Sequence, residues 1–203
     1  MQIAACFLGL AALVAGHGYV DNATIGGTYY QFYQPYQDPY TSPTPQRISR
    51  PVQGNGPVES VDLIDVQCGG YTAGGISGST PAALHATAAA GSTVTLRWTL
   101  WPDSHVGPVI TYMARCPDTG CQAWQPGTSA VWFKIIALHA AYSYPGAQFY
   151  PGCHQLQVTG SGTKTATSLV AIPGAYKSTD PGITYDAYKA QTYTIPGPAV
   201  FTC

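Results

Sequence analysis

Residues 93–100 read Thr-Val-Thr-Leu-Arg-Trp-Thr-Leu, and this alternation decides the fold class. Val94, Leu96, Trp98 and Leu100 fall on one side of an extended chain and Thr95, Arg97 and Thr99 on the other, the two-residue period of a strand with one buried face. Similar short runs lie outward from it at Val61 to Val66, Pro108 to Met113, Val131 to Leu138, Gln155 to Thr159 and Thr192 to Ile195. Gly and Pro punctuate the intervals, as at Gly54 to Pro57, Gly160 to Gly162 and Pro196 to Pro198. No stretch longer than a turn or two carries a helical apolar period, and no repeat of solenoid or propeller length occurs. Many short strands between turn signals predict an all-β chain folded as an antiparallel sandwich. Tyr29 to Tyr40, YYQFYQPYQDPY, followed by TSPTP, is too Pro-rich and aperiodic for a central strand and predicts a long loop. Two readings of it stay open: a Tyr/Gln-rich linker or adhesive patch, or a loop offering flat rings to a carbohydrate face.

Composition narrows the partners. The chain has 203 residues, of which 8% are charged, with 8 Lys and Arg against 9 Asp and Glu. An ordinary globular chain is about a quarter charged, so the surface is unusually neutral. Nucleic acid and anionic membrane are therefore poor partners. The 45% apolar content is enough to fill a core and argues for one loop-rich domain.

The first sixteen residues, MQIAACFLGLAALVAG, form an apolar run too short to span a bilayer and followed at once by polar sequence, as in a secretory signal. Cleavage after Ala15 competes with cleavage after Gly16, which sets Val14 and Gly16 as the small-pocket residues and is preferred. Residues 17–203 then form the mature domain, secreted into an oxidising compartment with Cys68, Cys116, Cys121, Cys153 and Cys203. Five is odd, so one thiol pairs elsewhere or not at all. Asn22-Ala23-Thr24 is an N-glycosylation acceptor pattern consistent with secretion.

A cut after Gly16 makes His17 the first residue and so creates a ligand. A free α-amine beside an imidazole can close one chelate ring on a metal, and its pKa of about 7.7 to 8.0 makes deprotonation cheap once a cation competes for the lone pair. One further imidazole completes three nitrogens, a set that favours Cu(II) over a tetrahedral structural zinc. Four histidines compete for that place. His105, in WPDSHVGPV, sits between Pro and Gly in a turn between two strands, as expected of a loop-borne ligand. His85 lies in Ala-rich sequence and reads as a surface bystander. His154 shares strand parity with Leu156 and Val158 and reads as a satisfied, partly buried histidine. His139 ends the run IIALH, and nine residues on Gln148 and Tyr150 share one face if extended, so that a phenol could approach a metal axially.

With these residues in view the chain resembles the fungal copper-dependent lytic polysaccharide monooxygenases of auxiliary activity family nine, formerly glycoside hydrolase family sixty-one. The resemblance runs nearly end to end: HGYV from His17, NGPVESVDLIDVQC at 55–68, AGSTVTLRWTLWPDSHVGPVITYMARC at 90–116, IALHAA at 136–141, GAQFYPGC at 146–153 and YTIPGPAVF at 193–201. It implies an immunoglobulin/fibronectin-like sandwich in which His17, through amine and side chain, and His105 hold one copper ion, with Tyr150 near the axial position. His139 and Gln148 match the family's pair that hydrogen-bonds to oxygen species at the metal. Cys68 with Cys153 and Cys116 with Cys121 match disulfides, leaving Cys203 unassigned. Tyr188 resembles a surface aromatic that packs on glucan, with Tyr193 and the Tyr29 to Tyr40 loop as further candidates. The implied activity is oxidative cleavage of β-1,4-glucan, cellulose first, at C1 or C4, by a secreted monomer using O2 or H2O2 and an external electron donor on insoluble or soluble β-glucan.

One departure stands out. Family members continue from a WFKI-like strand through several dozen residues, including another strand and an Arg-His-Glu motif, before IALH; here Ile135 runs straight into Ile136. A missing strand is expected to leave ladder groups unpaired and apolar sandwich surface open, and the joint is expected to reflect a splice or gene-model difference. Two rival functions remain. A hydrolase needs two facing carboxylates, and the one Glu, Glu59, and eight Asp form no convincing pair in sequence. A non-catalytic secreted copper or glucan binder derived from the family is the alternative that the shortened chain favours.

Overall fold

The structure is a computed structural model that describes residues 17–101, 107–138, 147–186 and 192–202. Among the described residues every regular element is a strand or a short 3-10 turn: β1 (Val20–Ile25), β2 (Thr28–Gln31), β3 (Ala86–Ala89), β4 (Val94–Trp98), β5 (Val109–Ala114), β6 (Trp132–Leu138) and β7 (Leu156–Thr159). The all-β expectation holds. The strands form a three-stranded sheet in the order β2-β1-β4 and two pairs, β3-β7 and β5-β6. All pairings are antiparallel except β3 with β7, which run parallel.

The sandwich strands read from β4, β5, β6 and β7 lie where the alternation put them. Three others were not read. β1 and β2 are joined by Gly26 and Gly27, whose φ angles of 56° and 80° are the left-handed values a two-residue hairpin requires and glycine supplies without strain. β2 also takes Tyr29 and Tyr30 out of the expected loop. β3 is almost all alanine, so its alternation of buried Ala86 and Ala88 with exposed Thr87 and Ala89 carries no size contrast in sequence.

Two expected strands are absent. In Val61 to Val66, the segment instead turns into a 3-10 helix at Ile64–Gln67. The buried Asp65 carboxylate accepts from the Thr72 amide at 2.9 Å and its hydroxyl at 2.6 Å, and the buried Gln67 amide donates to Ile172 O and Gly127 O. Polar side chains turned inward stabilise a bent backbone there, against the β propensity of its valines. Thr192 to Ile195 lacks strand pairing among its described residues; Tyr193 Oη instead donates to Gly182 O at 2.9 Å, and the buried Lys134 ammonium of β6 donates to Pro196 O at 2.8 Å.

The main core gathers Ala23 and Ile25 of β1, Ala86 and Ala88 of β3, Phe32 and Ile48. A second cluster sets Val58, Val66 and Ile172 against Tyr112, Trp132 and Phe149. The Cys68–Cys153 disulfide closes a sequence interval of 85 residues between them, a cross-link that removes unfolded-chain entropy of about 4.5 kcal/mol on the loop-closure account. Cys116–Cys121 closes a local loop.

The Tyr-rich segment is anchored by one ion pair. Asp38 is buried and accepts from Arg47 Nε at 2.9 Å and Nη2 at 2.8 Å, and from the Gln34 amide. Burial raises its pKa, but the Arg47 hydrogen bonds, the Gln34 amide and the Arg47 charge outweigh that and hold it below the usual carboxylate value. Removing one partner leaves the other without a counter-charge, so Arg47→Ala is expected to cost about 2–4 kcal/mol in urea unfolding; a loss under about 0.5 kcal/mol would show that the pair is not structural.

His154 supports β7 from the other side. Its ring stacks on Phe32 with centroids 4.0 Å apart, and its Nδ1 is buried without a hydrogen-bond partner. The satisfied histidine expected from the sequence is thus packed but not hydrogen-bonded. Burial depresses its pKa from 6.5 to about 3. The unfolded chain therefore takes up a proton that the folded chain refuses, and stability present above pH 6.5 is lost as pH falls toward about 3. His154→Gln is expected to flatten that decline, which approaches about 1.4 kcal/mol per pH unit; identical slopes in urea titrations of both proteins would refute the assignment.

Candidate functional site

Antiparallel pairing of β1 with β4 sets the site. The ladder runs Ile25↔Val94, Thr24↔Thr95, Ala23↔Leu96, Asn22↔Arg97 and, past an irregularity at Asp21, Val20↔Trp98. Beyond the strands it is prolonged by Tyr19 and Thr99: the Thr99 amide donates to Tyr19 O at 3.0 Å and the Tyr19 amide to Thr99 Oγ1 at 3.1 Å. The chain at Gly18, next to His17, is thereby brought against Thr99 and Trp101, after which residues 102–106, with His105, lie outside the described residues.

Gly18 makes this approach possible. A Cβ there would lie 2.8 Å from Thr99 Oγ1 and 3.1 Å from the Trp101 ring, closer than a side chain allows. Tyr150 completes the cluster, stacking on the His17 imidazole with centroids 5.7 Å apart and an interplanar angle of 28°. Trp101 meets the Tyr150 ring edge-on at 4.9 Å and Trp98 at 5.3 Å. The Tyr150 hydroxyl donates to Gln148 Oε1 at 2.8 Å. Desolvation, and then the Glu59 carboxylate, push its pKa up to about 12, so the phenol is neutral at physiological pH.

Of the residues singled out by sequence, the structure brings together His17, Gln148 and Tyr150. His105, His139, Tyr188 and Cys203 lie outside the described residues, as does the 1–16 leader. His85 is exposed and shares a 2.8 Å hydrogen bond between its Nδ1 and Gln122 Nε2, in keeping with a surface role. Tyr193 is half-buried, its hydroxyl on Gly182 O and its ring edge-on to Tyr185 at 4.9 Å. Asn22 lies within β1, the central strand of its sheet, with Nδ2 donating to Asp21 Oδ2 at 2.7 Å; a glycan there replaces one of that nitrogen's two hydrogens.

Sequence reading missed Thr99 and Trp101 as site residues. They carried a signal only once β1 was seen to pair with β4. It also missed a cavity of about 420 Å³ where Glu59, Asp62 and Asp186 meet Phe149 and Tyr185; these carboxylates are up to 127 positions apart in the chain, so no local motif announces them. Among the described residues no three His, Cys, Asp or Glu side chains converge as a metal cluster.

The His17 imidazole, with the Tyr150 phenol stacked on it and the neighbouring Tyr19 tied to Thr99, fits a nitrogen-rich metal site.

Comparisons with known proteins agree on one family. The model of Auxiliary Activity family 9 (formerly GH61) matches residues 17–135 and 135–194. AA9 family lytic polysaccharide monooxygenase F of Podospora anserina is 57% identical over 260 aligned positions, covering 100% of both chains. AA9 family lytic polysaccharide monooxygenase A of Gloeophyllum trabeum is 48% identical over 96% of this chain and 75% of its own. Among solved structures, a cellulose-active polysaccharide monooxygenase from M. thermophila superposes with a TM-score of 0.74 at 28% identity, covering 91% of this chain and 99% of that one. A glycoside hydrolase family 61 member from Hypocrea jecorina superposes with a TM-score of 0.76, also at 28% identity, over 91% and 100%.

Because Gly18 has no room for a methyl group between Thr99 and Trp101, Gly18→Ala is expected to lower stability by about 1–3 kcal/mol. Equal denaturant midpoints for the two proteins would mean that the N-terminal segment does not run where described.

Proposed function

From the premise that this chain belongs to auxiliary activity family 9, the lytic polysaccharide monooxygenases, we propose that residues 17–203 are a secreted, copper-dependent domain that oxidises β-1,4-glucan, cellulose above all, at C1 or C4. The observation that carries the reading is the His17–Tyr150 stack beside Trp101, at the end of the β1–β4 ladder. The family match begins at residue 17, which supports cleavage after Gly16 and a free α-amine on His17.

In this reading the His17 amine and imidazole and the His105 imidazole hold the metal, and Tyr150 flanks it. Bound copper supplies the one-electron chemistry that turns O2 or H2O2 into an oxidant for C–H bonds. The chain's own residues do the rest. Tyr150 stays protonated and donates to Gln148 Oε1, which fixes the amide with its NH2 free to donate toward the oxygen co-substrate. His139 is assigned to the same task. Trp101, itself edge-on to Trp98, braces the Tyr150 ring that stacks on the imidazole. Tyr188 is assigned to the glucan face, as is Tyr193, whose ring meets Tyr185 edge-on.

Oxygen insertion at C1 or C4 gives a hydroxylated sugar that expels its neighbour; with O2, the second oxygen atom leaves as water and an external donor supplies two electrons. The cavity lined by Glu59, Asp62 and Asp186 is a feature in line with hydrolysis among the described residues, and products separate the two chemistries. Processed protein given copper, ascorbate and cellulose is expected to release aldonic acids or 4-keto sugars by mass spectrometry, and protein with one extra N-terminal residue none. Plain reducing ends alone would overturn the reading. Copper binding without oxidised products would select the second reading, a non-catalytic binder, which the interrupted family match favours.

A further inference from the structure

The cavity of about 420 Å³ lies against Phe149, the residue between Gln148 and Tyr150 in the chain. Its walls come from three segments, and hydrogen bonds fix each of them. The Val58 and Phe149 amides donate to each other's carbonyls at 2.8 and 2.9 Å, which ties the 59–62 wall to the 147–149 wall. The third wall, 178–186, is folded on itself: the Ile183 and Thr184 amides donate to Asp180 O at 2.8 and 2.9 Å, and the Thr184 hydroxyl donates to Ser178 O. Tyr193 secures it further through Gly182 O and an edge-on contact with Tyr185. The cavity is thus preformed, and its size falls among small-ligand pockets of about 300–1,000 Å³.

The lining carries one sign of charge beside flat apolar rings. Glu59, Asp62 and Asp186 are three of the nine acidic residues in the chain, and among the described residues none of the eight Lys and Arg lines the cavity. A carboxylate accepts through both oxygens and donates nothing, so an anion is repelled and a ligand with several hydroxyl donors is matched. Ser60, Ser178 and Thr184 add hydroxyl oxygens, and Phe149 and Tyr185 supply the flat surface on which the C–H face of a sugar ring packs. An ammonium ion uses the carboxylates alone, and those of Glu59 and Asp62 are exposed and screened by water. Acceptors, hydroxyls and rings together are the complement of a neutral polyol ring. The Glu59 charge also acts on the Tyr150 phenol, so this wall stands close to the candidate metal site.

We propose that this cavity is a subsite for a single neutral pyranose, a side-chain sugar of a branched β-glucan whose main chain lies over the His17–Tyr150 site. The inference rests on the polysaccharide reading above and narrows it. Neighbouring sugar hydroxyls donate to the Glu59, Asp62 and Asp186 carboxylates, the ring packs on Tyr185 or Phe149, and bridging water fills the remainder. A linear glucan has no branch to place there, so the cavity adds binding to branched chains alone.

The binding arm of the test uses copper-free protein, which separates it from the oxidation chemistry. Methyl α-xylopyranoside, an uncharged single ring, is expected to shift the amide NMR signals of Ser60, Ser178 and Thr184 in a saturable titration. Two variants are each expected to weaken its Kd at least about tenfold: Ser178→Trp, which fills the cavity from an exposed position, and Glu59→Gln with Asp62→Asn, which keeps the shape and removes two charges. No saturable shift, or unchanged affinity in either variant, overturns the inference. Tighter binding of putrescine or catechol overturns it too, since it would mark a site for an amine or a phenol. The activity arm compares oxidised products from xyloglucan and from cellulose: Ser178→Trp is expected to cut the first at least about fivefold and leave the second within about twofold, and an equal effect on both refutes the branch subsite. If neither polymer yields oxidised products the monooxygenase reading falls, whereas the binding arm by itself still upholds or overturns the cavity.

Discussion

The paired hydrogen bonds between Tyr19 and Thr99 hold the working end of the molecule together, because they extend the β1–β4 ladder past the sheet and leave His17 no freedom to wander. A chelate built on a chain terminus needs such a restraint. Terminal residues are the most mobile part of most domains, and a metal held by a fraying end pays an ordering cost on every binding event. Here the cost is met during folding, by two backbone-directed bonds and by a glycine that lets the chain slip between Thr99 and Trp101.

Around that restraint the aromatic residues form a wall rather than a core. His17, Tyr150, Trp101 and Trp98 touch in series, ring to ring, and the phenol at their centre is kept neutral mainly by desolvation. The anchoring elements lie elsewhere: the disulfide from Cys68 to Cys153 holds the segment that delivers Tyr150, and the Asp38–Arg47 pair pins the Tyr-rich segment on the other side of β1. An almost neutral surface suits a polymer without charge.

The departure from the family is concentrated at Ile135, where its match divides. The bulge in β6 falls at the break in the family match, and Leu96 and Trp98 of β4 are exposed. The residues named for the metal survive in the sequence because His17 precedes β1, His105 follows β4 and Tyr150 precedes β7, all away from the break.

Much of the architecture was legible in the residues themselves. β4, β5, β6 and β7 announced themselves by alternation, and the glycine pair at 26–27 was a readable hairpin signal passed over. β3 was not readable, since alanine on both faces gives no contrast between inside and outside. Val61 to Val66 misled because buried hydrogen bonds from Asp65 and Gln67 outweigh the preference of its valines for extended backbone. Sequence by itself determined the strand class, the sulfur pairs through family resemblance, and His17, Gln148 and Tyr150 as the residues to watch. Only the tertiary structure decided that Thr99 and Trp101 hold His17 in place and that the inner face of β4 stands open, because both depend on which strands lie side by side, and that is a property of contacts between residues far apart in the chain.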